Sequence, residues 1–202
     1  MEYIIENEYL KVTVTTWGAQ VKSVIRKCDG VEHIWQADKS VWGYHAPILF
    51  PHAGKVVDGK IEAKGGVYES GQHGFARTSE HQFVEQSADT IVLELCSSPE
   101  LLEKFPYEFR LVSTFTLEND TLHHTLTVEN LDEEKMGFGI GYHPAFTVPF
   151  DDRHGGAGKG IVPVSDNTFH RVEGICAELF KDIDSDTVDM VDNYDATMLE
   201  PA

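Results

Sequence analysis

Alternation of apolar and polar residues is the most regular feature of this chain. Side chains of successive residues in a strand point to opposite faces, so apolar residues at every second position predict a strand. Such runs cover Gln20–Arg26, Thr90–Cys96 and Thr121–Asn130, together with residues 9–17, 82–85 and 109–117. In the last two runs along the chain, the alternation is typical of a sheet with one buried face.

Turn residues separate these predicted strands. Asp29-Gly30 lies between residues 20–26 and 31–35 and indicates a hairpin, and Glu118-Asn119-Asp120 indicates another. Ser98-Pro99 is typical of the start of a helical turn. Many short strands with little helical pattern predict an all-β protein, built as an antiparallel sandwich or barrel.

Two segments depart from the strand pattern. Residues 39–74 are rich in Gly, Pro and aromatic residues, and a long irregular stretch with this apolar content is typical of a functional loop. From residue 182 onward the chain is acidic and contains no Lys or Arg. We therefore expect a sandwich domain over residues 1–150, followed by a divergent, poorly packed acidic tail over residues 151–202.

Composition excludes several classes of function. The chain has 202 residues, enough for one domain, and a formal net charge of −18, which argues against nucleic-acid binding. The three cysteines form no CxxC pair, and no apolar run reaches membrane-spanning length. The N-terminus does not resemble a secretion signal. These features predict a cytoplasmic protein without a membrane partner, and they leave its oligomeric state open.

Two histidines stand out as candidates for chemistry. His73 precedes Gly74 and His143 precedes Pro144, so both lie where the backbone turns and a side chain can enter a cleft. Histidine titrates near neutrality and suits proton transfer. For one histidine alone, a turn residue bonded to a backbone carbonyl is the better explanation, and two such histidines together favour a shared polar site. The other histidines show no HExxH spacing, so the sequence supports no metal site.

Three ordered motifs carry a resemblance to a known family. They are Pro47-Ile48-Leu49-Phe50-Pro51 with Gly54-Lys55, then His73-Gly74-Phe75-Ala76-Arg77, and finally Gly141-Tyr142-His143-Pro144-Ala145-Phe146. With these motifs, residues 1–150 resemble the aldose 1-epimerase (galactose mutarotase-like) superfamily, and specifically its LacX-like branch. Together the motifs make a more specific signal than any one of them alone.

The resemblance implies an antiparallel β-supersandwich, incomplete at the C-terminus, whose concave face holds a monosaccharide. It also implies interconversion of the α and β anomers of a free hexose, without cofactor or metal. Ring opening needs a base for the C1 hydroxyl proton and an acid for the ring oxygen. By resemblance, His143 is the acid and His73 a hydrogen-bonding partner, and Lys55 and Arg77 are candidates for binding sugar hydroxyls. Candidates for stacking on the sugar, or else for ordinary core packing, are the aromatic residues Trp42, Phe50 and Tyr142.

The chain departs from its relatives in the catalytic base. The family places a Glu near the C-terminus in an Ile-Glu-Pro-Trp-like motif, and here only Glu200-Pro201 matches it. We interpret that match as chance rather than as the motif after a deletion. One alternative is therefore a non-catalytic carbohydrate-binding β-sandwich. A second is a hexose-6-phosphate 1-epimerase, which would need a cluster of basic residues for the phosphate. No motif identifies the sugar.

Overall fold

Residues 2–32 form a four-stranded meander. The structure is a computed structural model that describes residues 1–148 and 160–161. The four strands pair antiparallel in sequence order and are β1 (Glu2–Glu6), β2 (Leu10–Thr15), β3 (Gln20–Arg26) and β4 (Val31–Glu32). The strand predicted over residues 31–35 is shortened to β4, whereas β3 has the predicted bounds.

A second four-stranded antiparallel sheet has the order β11-β10-β9-β8. Its strands are β8 (Gln82–Gln86), β9 (Thr90–Cys96), β10 (Phe109–Glu118) and β11 (Thr121–Asn130). Between β9 and β10 lies the single-turn helix α1 (Pro99–Leu102), whose N-cap Ser98 accepts a hydrogen bond from the Leu101 N–H at 3.3 Å. The helical turn and both strand pairs agree with the sequence pattern.

Both sheets contribute to one hydrophobic core, which makes the fold a sandwich. Val12 and Val14 of β2 are fully buried, as are Leu111 and Phe115 of β10 and Leu93 of β9. In β10 buried residues alternate with partly exposed ones along the whole strand. This alternation explains why the sequence alone predicted the strand. The all-β, antiparallel sandwich is confirmed.

The irregular stretch between the two sheets contains three short strands that the sequence pattern did not reveal. These are β5 (Ile48–Leu49), β6 (Lys60–Ala63) and β7 (Gly66–Glu69), with a 3₁₀ turn at Val57–Gly59. β6 and β7 pair as a hairpin across Lys64 and Gly65, which both have positive φ. Strands of two to four residues are too short to establish a period.

Three more short strands follow β11 in the described part of the chain, and the first of them pairs with β5. β12 (Gly141–Tyr142) pairs with β5, and β13 (Thr147–Val148) pairs with β14 (Gly160–Ile161). The acidic tail predicted over residues 151–202, including Glu200, lies outside the described residues apart from β14. Within the part of the chain that the structure describes, no helix is long and apolar enough to cross a membrane.

Candidate functional site

Residues 45–51 form the backbone support that brings the two histidine motifs together. On one side, the His143 N–H donates to the Pro47 carbonyl at 3.0 Å, next to the β5–β12 pairing. On the other side, the N–H groups of Phe75 and Ala76 both donate to the Phe50 carbonyl, at 3.0 and 3.2 Å. As a result, the ring centroids of His73 and His143 lie 6.4 Å apart.

His73 is held in a defined orientation by Gly54. The His73 N–H donates to the Gly54 carbonyl at 2.7 Å, and the Gly54 N–H donates in return to His73 Nδ1 at 2.9 Å. Because Nδ1 accepts a hydrogen bond, the neutral ring carries its proton on Nε2. The side-chain amide nitrogen of Gln72 lies 3.3 Å from His73 Nε2 and, being a donor itself, does not accept the Nε2 proton. His73 can thus offer a fixed N–H donor to a ligand.

The backbone at His73 is unusual for a residue with a side chain. Its φ is +66°, in the left-handed region, and the following Gly74 has the same value. A left-handed conformation costs a non-glycine residue about 1–2 kcal/mol and is found most often at functional sites. A Cβ on Gly74 would lie 2.2 Å from the Phe50 carbonyl oxygen, so only glycine fits at this close approach.

The two imidazoles share an environment that keeps them neutral. Burial lowers the pKa of His73 from 6.5 to about 4, assisted by the positive charge of Arg77 and by the neighbouring His143 and His52. Burial and then Arg77 also lower the pKa of His143. Among the described residues, no carboxylate raises the pKa of either ring.

His143 is half-buried against an aromatic neighbour. Its ring centroid lies 5.1 Å from that of Trp42, with the planes tilted by 42°. His143 Nδ1 is buried and has no hydrogen-bond partner within residues 1–148. A buried imidazole nitrogen without a partner is costly and identifies a position where a ligand atom could bond.

Arg77 carries a positive charge to the edge of this cluster. Its Nη2 donates to the Gln72 carbonyl at 3.0 Å, and its guanidinium lies 5.0 Å from the ring centroid of Tyr44. Tyr44 in turn packs beside Trp42, with their centroids 5.6 Å apart. Arg77 forms no ion pair with any described residue, and its buried Nε has no hydrogen-bond partner there. Its hydrogen-bonding capacity is therefore largely unused.

His52 also belongs to the cluster, although it is not among the predicted sugar-site residues. His52 Nε2 lies 2.6 Å from the Ser70 hydroxyl oxygen, and its charge would oppose protonation of His73. Burial lowers the pKa of His52 as well. The sequence offered one indication that His52 belongs to the cluster, namely its position directly after Pro51 of the first motif. Tyr44 and Ser70 had no comparable signal.

The remaining predicted residues occupy different environments. Lys55 is exposed and follows Gly54 directly. Phe50 is fully buried among the rings of Phe75, Phe105, Phe109 and Phe138. Phe50 cannot stack on a sugar, and the core-packing interpretation is correct for it. Tyr142 packs edge-on against His124, with ring centroids 4.8 Å apart, and burial raises the pKa of its hydroxyl.

The cluster offers hydrogen-bond donors and imidazoles rather than metal ligands. In the described part of the chain, no group of three or more His, Cys, Asp or Glu side chains could hold a metal ion. The arrangement pairs two neutral imidazoles with a cation and an aromatic wall. It can hydrogen-bond a polar ligand and contact an apolar face of the same ligand.

Comparison with known proteins assigns the chain to a family. The aldose 1-epimerase family profile matches residues 1–179, which extends past the boundary near residue 150. The chain belongs to the aldose 1-epimerase family. Two curated relatives are the plasmid and chromosomal LacX proteins of Lactococcus lactis subsp. lactis, which are 33% and 34% identical over 156 residues. The resemblance to the LacX-like branch is therefore confirmed.

Solved structures of the aldose 1-epimerase family share the sandwich. A galactose mutarotase related enzyme from Lactobacillus acidophilus has a TM-score of 0.74 at 36% identity, over 78% of this chain and 52% of that one. A galactose mutarotase-like protein from Lactobacillus casei has a TM-score of 0.71 at 36% identity, over 73% and 50%. The galactose mutarotase-like fold is confirmed. The LacX matches cover 72% of this chain, which spans about half the length of these curated relatives.

Proposed function

We propose that this protein acts on a free hexose as an aldose 1-epimerase, interconverting its α and β anomers by acid–base ring opening. The observation that carries the proposal is the pairing of His73 and His143, whose ring centroids are 6.4 Å apart, in a member of the aldose 1-epimerase family. A monosaccharide has polar hydroxyls and apolar C–H faces. The imidazoles and Arg77 can form hydrogen bonds with the hydroxyls, and Trp42 can pack against a C–H face.

In this proposal both imidazoles contact the same sugar from one side, because a centroid separation of 6.4 Å leaves no room for a hexose between them. His73, whose proton is fixed on Nε2 by the Gly54 N–H, donates a hydrogen bond to a sugar oxygen. His143 protonates the ring oxygen as the C1–O5 bond breaks, and a base takes the proton of the C1 hydroxyl. The open aldehyde rotates about its C1–C2 bond, and the reverse proton transfers close the ring on the other face.

The acid role of His143 imposes an electrostatic requirement. Burial and Arg77 lower the pKa of His143, and a neutral imidazole is a poor proton donor at neutral pH. A carboxylate near His143 would raise the pKa and could also be the base. Among the described residues no carboxylate contributes to the pKa of His143, so the proposal assigns the base to none of them.

The same observation favours one alternative, a carbohydrate-binding protein without catalysis. The hydrogen-bond donors and the aromatic wall suffice to bind a sugar. Without a base, the rate of anomer exchange would fall on the order of 10²–10⁴-fold, since this is what one positioned acid or base contributes.

Polarimetry separates these functions. Freshly dissolved α-glucose and α-galactose are followed with the full chain and with buffer alone, and calorimetry measures sugar binding. A rate above buffer that His143→Ala abolishes supports the epimerase. A rate equal to buffer, with sugar still bound, supports the binding protein. If neither sugar binds, both proposals fail.

A further inference from the structure

Two loops carry the residues that orient His73, and hydrogen bonds join the loops at two places. The 51–55 loop contains His52 and Gly54, and the 70–74 loop contains Ser70 and His73. One connection is the reciprocal Gly54–His73 pair, with bonds of 2.7 and 2.9 Å. The other joins His52 Nε2 to the Ser70 hydroxyl oxygen, at 2.6 Å. The His52–Ser70 contact therefore closes a ring that includes the bonds holding His73.

The His52–Ser70 contact is sheltered from solvent. Ser70 is 8% exposed, and His52 Nδ1 is buried without a hydrogen-bond partner within residues 1–148. Ser70 thus supplies the one side-chain hydrogen bond of the His52 ring in the described part of the chain. A buried polar group that loses its partner is costly, so both side chains are constrained to keep this contact. The contact therefore fixes the spacing of the two loops beside His73.

The His52–Ser70 contact joins two neutral groups at neutral pH. Burial lowers the pKa of His52 below its usual value of 6.5, although the backbone at Ala53 and Gly54 partly opposes this effect. A neutral imidazole carries one N–H and one acceptor nitrogen, and a hydroxyl can both donate and accept. The contact is therefore compatible with either tautomer of His52.

The backbone of the 51–55 loop has anchors that do not involve the His52 ring. The Gly139 N–H donates to the Pro51 carbonyl at 2.8 Å, and the neighbouring Phe50 carbonyl accepts two further backbone bonds. Substitution of the His52 side chain leaves these backbone groups in place. Loss of the ring should therefore affect the orientation of His73 rather than the fold as a whole.

We propose that His52 is a positioning residue for His73. Through Ser70 it holds the two loops at the spacing at which the Gly54 N–H reaches His73 Nδ1, and this bond keeps the proton of His73 on Nε2. The inference rests on the proposed function, in which that Nε2–H donates to a sugar oxygen. It adds to the site a pair of residues that acts on the sugar only through His73.

The first test follows the tautomer of His73 by nitrogen NMR of the imidazoles, in the full chain at neutral pH without sugar. In the wild type we expect the Nε2–H tautomer to predominate. Ser70→Ala and His52→Ala should each lower the ratio of the Nε2–H to the Nδ1–H tautomer by about three- to tenfold, the effect of one hydrogen bond of ordinary net strength. His52→Gln, whose amide can still bond the Ser70 hydroxyl, should retain the wild-type ratio.

A matched control removes a serine hydroxyl elsewhere in the chain. The Ser87 hydroxyl bonds Asp89 and Thr90 in the turn between β8 and β9, so Ser87→Ala should leave the His73 tautomer unchanged. Ser70→Ala removes a single oxygen atom, which makes it the decisive variant. An unchanged tautomer ratio in Ser70→Ala overturns the inference, and so does a wild-type His73 without a predominant tautomer.

Calorimetry with glucose and galactose connects this positioning to the proposed sugar site. Ser70→Ala and His52→Ala should weaken hexose binding about three- to tenfold, and His52→Gln should retain wild-type affinity. Unaltered hexose affinity in both alanine variants overturns the inference while the proposed function stands. If the wild type binds neither hexose, the proposed function fails, and the tautomer of His73 in Ser70→Ala still decides whether His52 and Ser70 position this ring.

Discussion

Gly54 and His73 hold each other through two reciprocal hydrogen bonds. The His73 N–H donates to the Gly54 carbonyl, and the Gly54 N–H donates to His73 Nδ1. The pair fixes the side chain of a residue whose backbone is in the left-handed region, with φ of +66°. The loop therefore fixes the orientation of the His73 imidazole in the absence of a ligand.

We expect Gly74→Ala to be one of the most destabilising alanine substitutions in this chain. Gly74 has φ of +66°, and its new Cβ would lie 2.2 Å from the Phe50 carbonyl oxygen. Strain and clash together should cost at least about 2–4 kcal/mol, measured by chemical denaturation. Gly65→Ala is a matched control, because Gly65 has φ of +71° with nothing near its Cβ, and should cost about 1–2 kcal/mol. Equal costs would contradict the close approach.

Acid should destabilise the fold through two buried histidines. His81 is almost fully buried and His124 has a buried Nε2, and burial lowers the pKa of each from 6.5 to about 4. Above pH 6.5 both are neutral in the folded and unfolded chain. As the pH falls from 6.5 to 4, only the unfolded chain takes up these protons, so stability is lost, by about 3 kcal/mol for each histidine.

Unfolding free energy measured against pH checks this expectation. His124→Gln should flatten the dependence between pH 6.5 and 4, because one depressed pKa is removed. A wild-type stability that stays constant over this range would show that these imidazoles are not protected from protonation.

Arg77 should control the protonation of the site. In Arg77→Gln the positive charge is lost, so the pKa values of His73 and His143 should both rise, as followed by NMR titration of the imidazoles. Lys55→Gln removes a nearby exposed charge that does not contribute to either pKa, and it should leave both unchanged. Unaltered titration in Arg77→Gln would mean that burial alone keeps the rings neutral.

Trp42 should contribute to sugar affinity. Its ring lies 5.1 Å from that of His143, centroid to centroid, on the wall of the proposed sugar site. Trp42→Ala should weaken hexose binding by up to about tenfold in calorimetry, in line with the value of an aromatic contact. Trp17, which is 49% exposed and whose ring contacts neither histidine in the described part of the chain, supplies the control Trp17→Ala. Unchanged hexose affinity in Trp42→Ala would remove this ring from the site.

The sandwich was predictable because its information is local. β10 alternates buried with partly exposed residues, β11 alternates exposed with partly buried residues over most of its length, and the turn between them consists of three consecutive polar residues. β5, β6 and β7 were missed because each has at most four residues, which is too few to show a period. β5 also depends on a distant partner, β12, whereas β6 and β7 pair with each other.

The candidate site, like the fold, was predictable from the sequence only in part. The sequence by itself determined which histidines to examine, since His73 and His143 stand beside Gly74 and Pro144 in motifs that resemble one family. Only the tertiary structure decided that their rings meet, that Phe50 is core and that His52 joins them. The physical reason is that a side chain's neighbours, burial and charge arise from hydrogen bonds between distant segments. Residues 45–51 make those bonds to both motifs, and no local pattern encodes them.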